Sequence, residues 1–484
     1  MMLFAAIAVL IAASLVLRAV NAASWRSDRH RVTNEAFAKA KEALVARAVM
    51  DDNRPGSLPC PDTDNDGAAQ LFAGNQCPSY LGRLPWRTLD LPDLRDADGE
   101  RLWYALSRTH RDHGAAEPIN SDTIGELAVN GAAPSTQALA ILLSPGAALQ
   151  RAGAASTQLR DCPANCNAAS NYLDSAGGFD NAVWSVVGGV VNFVSAPQSD
   201  SFNDRLVPIL PDDIMPLVEK RAAREIALAM KSRYEAWQSA AGRGFYPWPA
   251  PFNDPANPGI GVSGTLHGHL PMTTTPAVWT FANVAGLGSC NGVGTTTLTC
   301  SAVLLLGNVT ARLDNVATRF LEAPTPPQSG GLALASNYSY TLNTGAQRMD
   351  FQYSALLGIS SITIEAPVLA SWAPAGSPWL VNNQWNRVAT YAISQGHAIT
   401  GPGACTGPSP CISIGGPADK EAIVMMAGRP LPATLPTQTV ADRAVVPAQV
   451  AQYLEAANTT PADMALERNL RTTVFNDQPV VVRP

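Results

Sequence analysis

Residues 101–107 read Arg-Leu-Trp-Tyr-Ala-Leu-Ser, and residues 387–394 read Arg-Val-Ala-Thr-Tyr-Ala-Ile-Ser. This likeness decides how the rest of the chain is read, because the motifs around each segment recur in one order. Before the first lie a Gly- and Pro-free stretch (24–50), Leu58-Pro-Cys-Pro-Asp62 and Gly82-Arg-Leu-Pro85. After it come Ala140-Ile-Leu-Leu-Ser-Pro-Gly-Ala-Ala-Leu149, Tyr172-Leu-Asp174 and Phe202-Asn-Asp204. The second segment is preceded by the helical stretch 214–238, Tyr246-Pro-Trp-Pro-Ala250 and Gly268-His-Leu-Pro271. Ala422-Ile-Val-Met-Met-Ala-Gly-Arg-Pro-Leu431, Tyr453-Leu-Glu455 and Phe475-Asn-Asp477 follow it. Any one match is weak, but so many in the same order imply an internal duplication.

Local patterns give each copy its elements. Val32, Ala36, Ala40 and Leu44 recur at helical spacing over 24–50, and Ala223, Ile226, Met230, Tyr234 and Trp237 do so in the second stretch. Asp213 suits the cap of the second helix and Pro216 its first turn. The apolar runs 140–143 and 422–426, each ended by a Gly turn, predict buried strands, as do the two Tyr-Ala-Leu/Ile-Ser segments. The fold class is therefore α+β, with two related units of a helix plus an antiparallel sheet at 24–211 and 212–484. Between about 272 and 383 the second copy carries an insertion rich in Thr, Val, Leu, Ser and Gly, which predicts a β-rich subdomain.

The chain has 484 residues, is 46% hydrophobic and carries a formal net charge of -6, which excludes a disordered polymer and a basic nucleic-acid binder. Arg outnumbers Lys 28 to 5, which reads as the codon usage of a GC-rich bacterium. Eight cysteines fall into four close pairs: Cys60/Cys77, Cys162/Cys166, Cys290/Cys300 and Cys405/Cys411. Each closes a short loop rich in Gly, Pro, Asn or Ser, the pattern of local disulfides in an exported protein. The rival is zinc, but no pair is CxxC and the six histidines do not cluster beside the cysteines in sequence.

Residues 1–17 are an apolar run interrupted only by Ser14, with no basic region ahead of it. The run is near the lower limit for a membrane span, and nothing between it and the stretch 24–50 breaks a helix. An anchor helix at 1–23 continuing into an amphipathic stalk is the expectation. Arg26, Arg29 and Arg31 after the span oppose this topology, and a signal peptide cleaved after Ala22 is the alternative.

The membrane helix running into an amphipathic helix, the stretch Pro55-Gly-Ser-Leu-Pro-Cys-Pro-Asp-Thr-Asp-Asn-Asp-Gly67, the segment Gly82-Arg-Leu-Pro-Trp-Arg-Thr-Leu89 and Ser144-Pro-Gly-Ala-Ala-Leu149 resemble bacterial type IV pilin-like and type II secretion pseudopilin-like proteins. The resemblance covers most of 1–210 and, more faintly, 213–484. It implies a single-pass inner-membrane protein whose body lies in the periplasm or on an extracellular filament, with other pilin-like subunits or secretion components as partners. The prepilin cleavage pattern, Gly before an aromatic residue with Glu beyond, is absent from the sequence.

Candidate chemistry is sparse. Asp62, Asp64 and Asp66, followed by Gly67, match the start of an EF-hand-like calcium loop, although position 12 is Ala73. A plain turn inside a disulfide loop is the rival. Asp96-Ala-Asp-Gly99 predicts a hairpin turn, His110 and His113 a solvated polar segment, and His267 and His269 loop residues. Asn203/Asp204 and Asn476/Asp477 predict turns in which Asp caps backbone amides. Ten tryptophans suit core packing or a binding surface. No nucleophile elbow, P-loop or dinucleotide fingerprint occurs, so the expected function is structural and not enzymatic. The alternatives are a secreted adhesin or binding module and a periplasmic hydrolase whose site forms only in the fold.

Overall fold

The computed structural model describes residues 27–484 apart from 115–116, 161–166, 242–245, 247, 256–263, 271–277, 283–285, 292–296, 305–306, 315–335, 344–347, 356–360, 366–376, 399–401, 408, 435, 461–463 and 484. The expected anchor at 1–23 lies outside the described residues. Among those described, no helix is long and apolar enough to cross a membrane.

The architecture is α+β, with several antiparallel sheets. Contacts divide the chain into two compact units, Met1–Ile119 with Thr123–Val218, and Asn120–Asp122 with Glu219–Pro484.

In the first unit, helix α1 (27–50) precedes a four-stranded sheet of β1 (Leu81–Arg83), β2 (Trp103–Leu106), β3 (Ala140–Ser144) and β4 (Arg205–Ile209), in that order. All three pairings are antiparallel. Both faces are buried, which explains near-continuous apolar runs such as 140–143. One face places Leu81, Trp103, Ala105, Ile141 and Leu143 in a cluster with Leu127, Val129, Val191 and Phe193 of a second small sheet. Tyr104, Leu106, Ala140 and Leu142 alternate to the other face and are fully buried too. The stripe Ala36, Phe37, Ala40, Leu44 and Ala48 of α1 is buried. Arg205 of β4 donates to Asn34 (2.6 Å) and Arg29 pairs with Asp98 (2.5 Å), fixing the helix along the sheet.

The second unit repeats the plan. Helix α2 (Pro211–Ala241) is followed by β5 (His267–His269), β6 (Ala389–Ile393), β7 (Ala422–Met426) and β8 (Gln478–Arg483), again neighbours in that order and antiparallel throughout. Gly82 faces Tyr104 in the first sheet and Gly268 faces Tyr391 in the second. Helix α2 starts earlier than capping at Asp213 predicts. Asp213 instead accepts from the Leu210 amide (2.8 Å) and pairs with Lys41 (2.8 Å), while Pro216 falls in the second turn. The division between units falls inside α2, after Val218, because its first turns pack in the first unit, where Met215 approaches Gly56.

The insertion is β-rich in its backbone. A five-stranded antiparallel sheet is ordered Gly286–Asn291, Thr297–Leu304, Gly307–Asp314, Arg348–Ala355 and Ser336–Asn343, beside a two-stranded pair, Val278–Ala282 with Ser361–Glu365. Its register sets Cys290 opposite Cys300.

Candidate functional site

The Asp loop lies between α1 and β1. Asp62 pairs with Arg83 in an isolated bridge, and the Cys60–Cys77 disulfide (Cα–Cα 5.6 Å) closes the loop at its base. Asp62 is buried and accepts from the amides of Asp64 (3.1 Å), Asn65 (2.7 Å) and Gly67 (2.7 Å). Asn65 and Gly67 take φ of 67° and 88°, where Gly carries no penalty and Asn a small one. A Cβ on Gly67 would also strike the Trp86 ring at 2.5 Å. Arg101 holds Asn65 through its carbonyl (2.7 Å) and side chain (2.8 Å) and pairs with Asp93. One carboxylate oxygen each of Asp62, Asp64 and Asp66 lie within 4.8 Å of one another, the latter two residues exposed. Burial, and then the nearby Asp64 carboxylate, raise the Asp62 pKa. A hard cation would relieve this repulsion. With no acid at position 12, water must complete its shell.

Beside the loop lies a cleft of about 330 Å³ lined by Asp62, Thr63, Ser79, Arg83, Trp103 and Trp184, among others. The Arg83 guanidinium lies over the rings of Tyr172 (3.9 Å) and Trp103 (4.5 Å) and donates to the Arg101 carbonyl. Burial lowers its pKa. The matching positions of the second unit are Ala250, His269 and Thr390 in place of Asp62, Arg83 and Trp103. His269 meets Tyr453 at 5.8 Å, as Arg83 meets Tyr172. The framework recurs, while the acid, guanidinium and indole of Asp62, Arg83 and Trp103 are replaced at these three positions of the second unit. Of these lining residues the sequence marks only Asp62 as a candidate ligand, while Arg83 and Trp103 enter it as parts of recurring motifs.

The Phe-Asn-Asp motifs form twin buried acid pairs. Asp204 accepts from the Asp174 amide (2.8 Å) and from Asn181 (2.9 Å), and Asp174 accepts from the Asn203 amide (2.8 Å) and Gln158 (3.0 Å). Asp477 accepts from the Glu455 amide (2.9 Å) and Asn458 (2.9 Å), and Glu455 accepts from the Asn476 amide (2.9 Å) and Gln438 (2.9 Å). Asp therefore caps amides as its motif implies, and the recurring Tyr-Leu-Asp/Glu supplies its partner. Burial, and then the partner carboxylate, hold Asp204 and Asp477 well above the usual range. Deep burial and identical wiring in both units mark these pairs as framework.

Several histidines depart from expectation. His110 is fully buried, not solvated: Nδ1 meets the Thr109 hydroxyl (2.8 Å), and burial pushes its pKa down to about 3. His113 instead packs against Phe72 (4.7 Å), so the two do not converge. His267 and His269 are buried strand residues of β5, not loop residues, each pushed down by burial to about 4. The sequence places both histidines in a loop, and only strand pairing shows their burial. The Asp96 turn is as expected: its carboxylate accepts from the Asp98 and Glu100 amides (both 2.9 Å). Trp379 and Trp385 are fully buried core residues.

A further pair of matching turns, Ser107-Arg-Thr-His110 and Ser394-Gln-Gly-His397, follows β2 and β6. In the second, Ser394 Oγ meets His397 Nδ1 (2.9 Å) and Glu421 faces Nε2 (3.5 Å). Ser394 is fully buried. Cys405 and Cys411 are joined as a disulfide beside it, while Cys162 and Cys166 lie outside the described residues.

Comparison with protein-family models, curated proteins and solved structures finds no match.

Proposed function

We propose that this chain is a membrane-anchored, exported, pilin-like or pseudopilin-like structural protein of a type IV pilus or type II secretion-type apparatus, with no catalytic activity of its own. The observation that carries this reading is the duplicated scaffold, in which a long helix leads twice into a four-stranded antiparallel sheet of one strand order. The Cys60–Cys77 disulfide fits an oxidising compartment. The acidic groups that converge inside each unit are spent on backbone amides, the economy of a scaffold. In this reading residues 1–23 anchor the chain in the inner membrane and dock against other pilin-like helices. The body, with the insertion at 272–383 as its main contact surface, projects into the periplasm or along a filament. Asp62, Asp64 and Asp66 hold calcium, which rigidifies the disulfide loop.

The test is the mature N-terminus, read by mass spectrometry on protein from the native host and paired with membrane fractionation. An intact apolar start in the membrane fraction, or a methylated residue encoded upstream of Met1, is the expected result. A start at Ala23 in the soluble fraction overturns the anchored reading. It favours a secreted binding module, which the Trp103/Trp184 cleft supports as a second reading.

A further inference from the structure

The turn after β6 carries three additions that its counterpart after β2 lacks. Both turns run Ser-x-x-His, and the serine amide bonds the carbonyl of Leu139 in the first unit and of Glu421 in the second. Only the second places a carboxylate there, and only the second has a cysteine pair in the following loop. These additions converge on one imidazole. Cys405 Sγ lies 3.7 Å from His397 Nδ1, and Glu421 Oε1 lies 3.5 Å from Nε2. Ligand atoms of His397, Cys405 and Cys411 all fall within 4.8 Å of one another.

We infer that His397, Cys405 and Cys411 form a site for a thiophilic divalent cation of the zinc type when the disulfide is reduced, so that disulfide and metal are alternative states of one staple. Tetrahedral coordination with metal–sulfur and metal–nitrogen bonds of about 2.3 and 2.0 Å sets sulfur and nitrogen about 3.5 Å apart. The His397–Cys405 separation is already close to that. The two sulfurs must part by under 2 Å or so to reach the same spacing. A Cβ added to Gly407, between them, would meet nothing within 4 Å. Glu421 backs the far ring nitrogen as carboxylates do behind metal-ligating histidines, and Tyr246 in turn donates to Glu421 (3.4 Å). Ser394 Oγ, 4.0 Å from Cys405 Sγ, or a water supplies the fourth position.

The electrons come from a dithiol. Its thiolate attacks one sulfur of the pair and releases the other cysteine. Its second thiol then closes the reductant's own disulfide and frees the first. Two electrons and two protons have passed to Cys405 and Cys411, and the cation then displaces one proton from each.

The test treats the folded full-length chain with dithiothreitol without oxygen, removes the reductant and titrates Co²⁺. The expected result is one equivalent bound with thiolate-to-cobalt charge-transfer absorption, absent from the oxidised chain and displaced by Zn²⁺. Cys405→Ser/Cys411→Ser abolishes the band, which separates this site from the other cysteines and from the Asp loop. Glu421→Gln keeps the band and weakens affinity about 10- to 100-fold. If the double variant does not fold, alkylation of the reduced wild type decides, with Zn²⁺ protecting Cys405 and Cys411 in peptide maps. No charge-transfer band after reduction, a band that persists in the double variant, or alkylation unaffected by Zn²⁺ overturns the inference.

Discussion

Asp204 and Asp477 each bury an oxygen, Oδ1, that no donor reaches among the described residues. An ionised carboxylate pays far more for that isolation than a protonated one. The folded chain therefore holds protons that the unfolded chain releases above the ordinary Asp value near 4. Stability from these pairs is present at low pH and is lost as pH rises through the raised values. His110, His267 and His269 act in the opposite sense. Their pKa values fall from 6.5 to about 3, 4 and 4, so stability is lost as pH drops below the unfolded value toward 4. The difference between wild type and Asp204→Asn/Asp477→Asn isolates the acids. In urea titrations the variant should gain on the wild type as pH rises above the ordinary Asp value near 4. A parallel pair of curves would refute the raised pKa values of Asp204 and Asp477. Gly82 and Gly268 offer a second residue-scale test. A Cβ would meet the Asp62 carbonyl at 2.5 Å and the Ala250 carbonyl at 2.0 Å. Gly82→Ala and Gly268→Ala should each cost about 3 kcal/mol, read by denaturant midpoint.

Among the elements, the loop 60–77 is held twice, by its disulfide and by Asp62. Opening a loop of this length with Cys60→Ser/Cys77→Ser should cost about 3 kcal/mol. If Asp62, Asp64 and Asp66 bind calcium with water completing the shell, affinity belongs in the roughly millimolar class of extracellular modules. Calcium at about ten times that level should add about 1.4 kcal/mol of stability, and Asp64→Asn/Asp66→Asn should abolish the gain in calorimetry. Helix α1 depends on its stripe. Leu44 is fully buried, so Leu44→Ala should cost about 2–5 kcal/mol, whereas the exposed Met50 should tolerate Ala within about 0.5 kcal/mol.

On the scale of the whole molecule, each compact unit has its own sheet and core. Scanning calorimetry should resolve two transitions. Leu44→Ala should lower only one, and Ile423→Ala, at a fully buried position of β7, only the other. Helix α2 contributes Ile214 and Met215 to the first unit and Ala222 and Ile226 to the second. A helix-breaking Val218→Pro should therefore lower both, and an effect on one alone would show that α2 serves a single unit.

The order of motifs was enough to determine the repeated helix-then-sheet plan, because buried strands need continuous apolar runs and helices need a stripe at 3.6 spacing. Cysteine proximity likewise yielded Cys60–Cys77 and Cys405–Cys411, since short loops bring their ends together whatever the fold. What the sequence could not convey is burial and convergence between distant segments. His110 and His269 look like polar loop residues until strands and turns close over them. Arg83 reaches Tyr172, Asp174 reaches Asp204, and Glu421 reaches His397 only because neighbouring strands and the loops after them bring those positions together. Spacing along a chain fixes local geometry through bond lengths and dihedrals, whereas contacts across a sheet depend on register and packing, which only the folded chain decides.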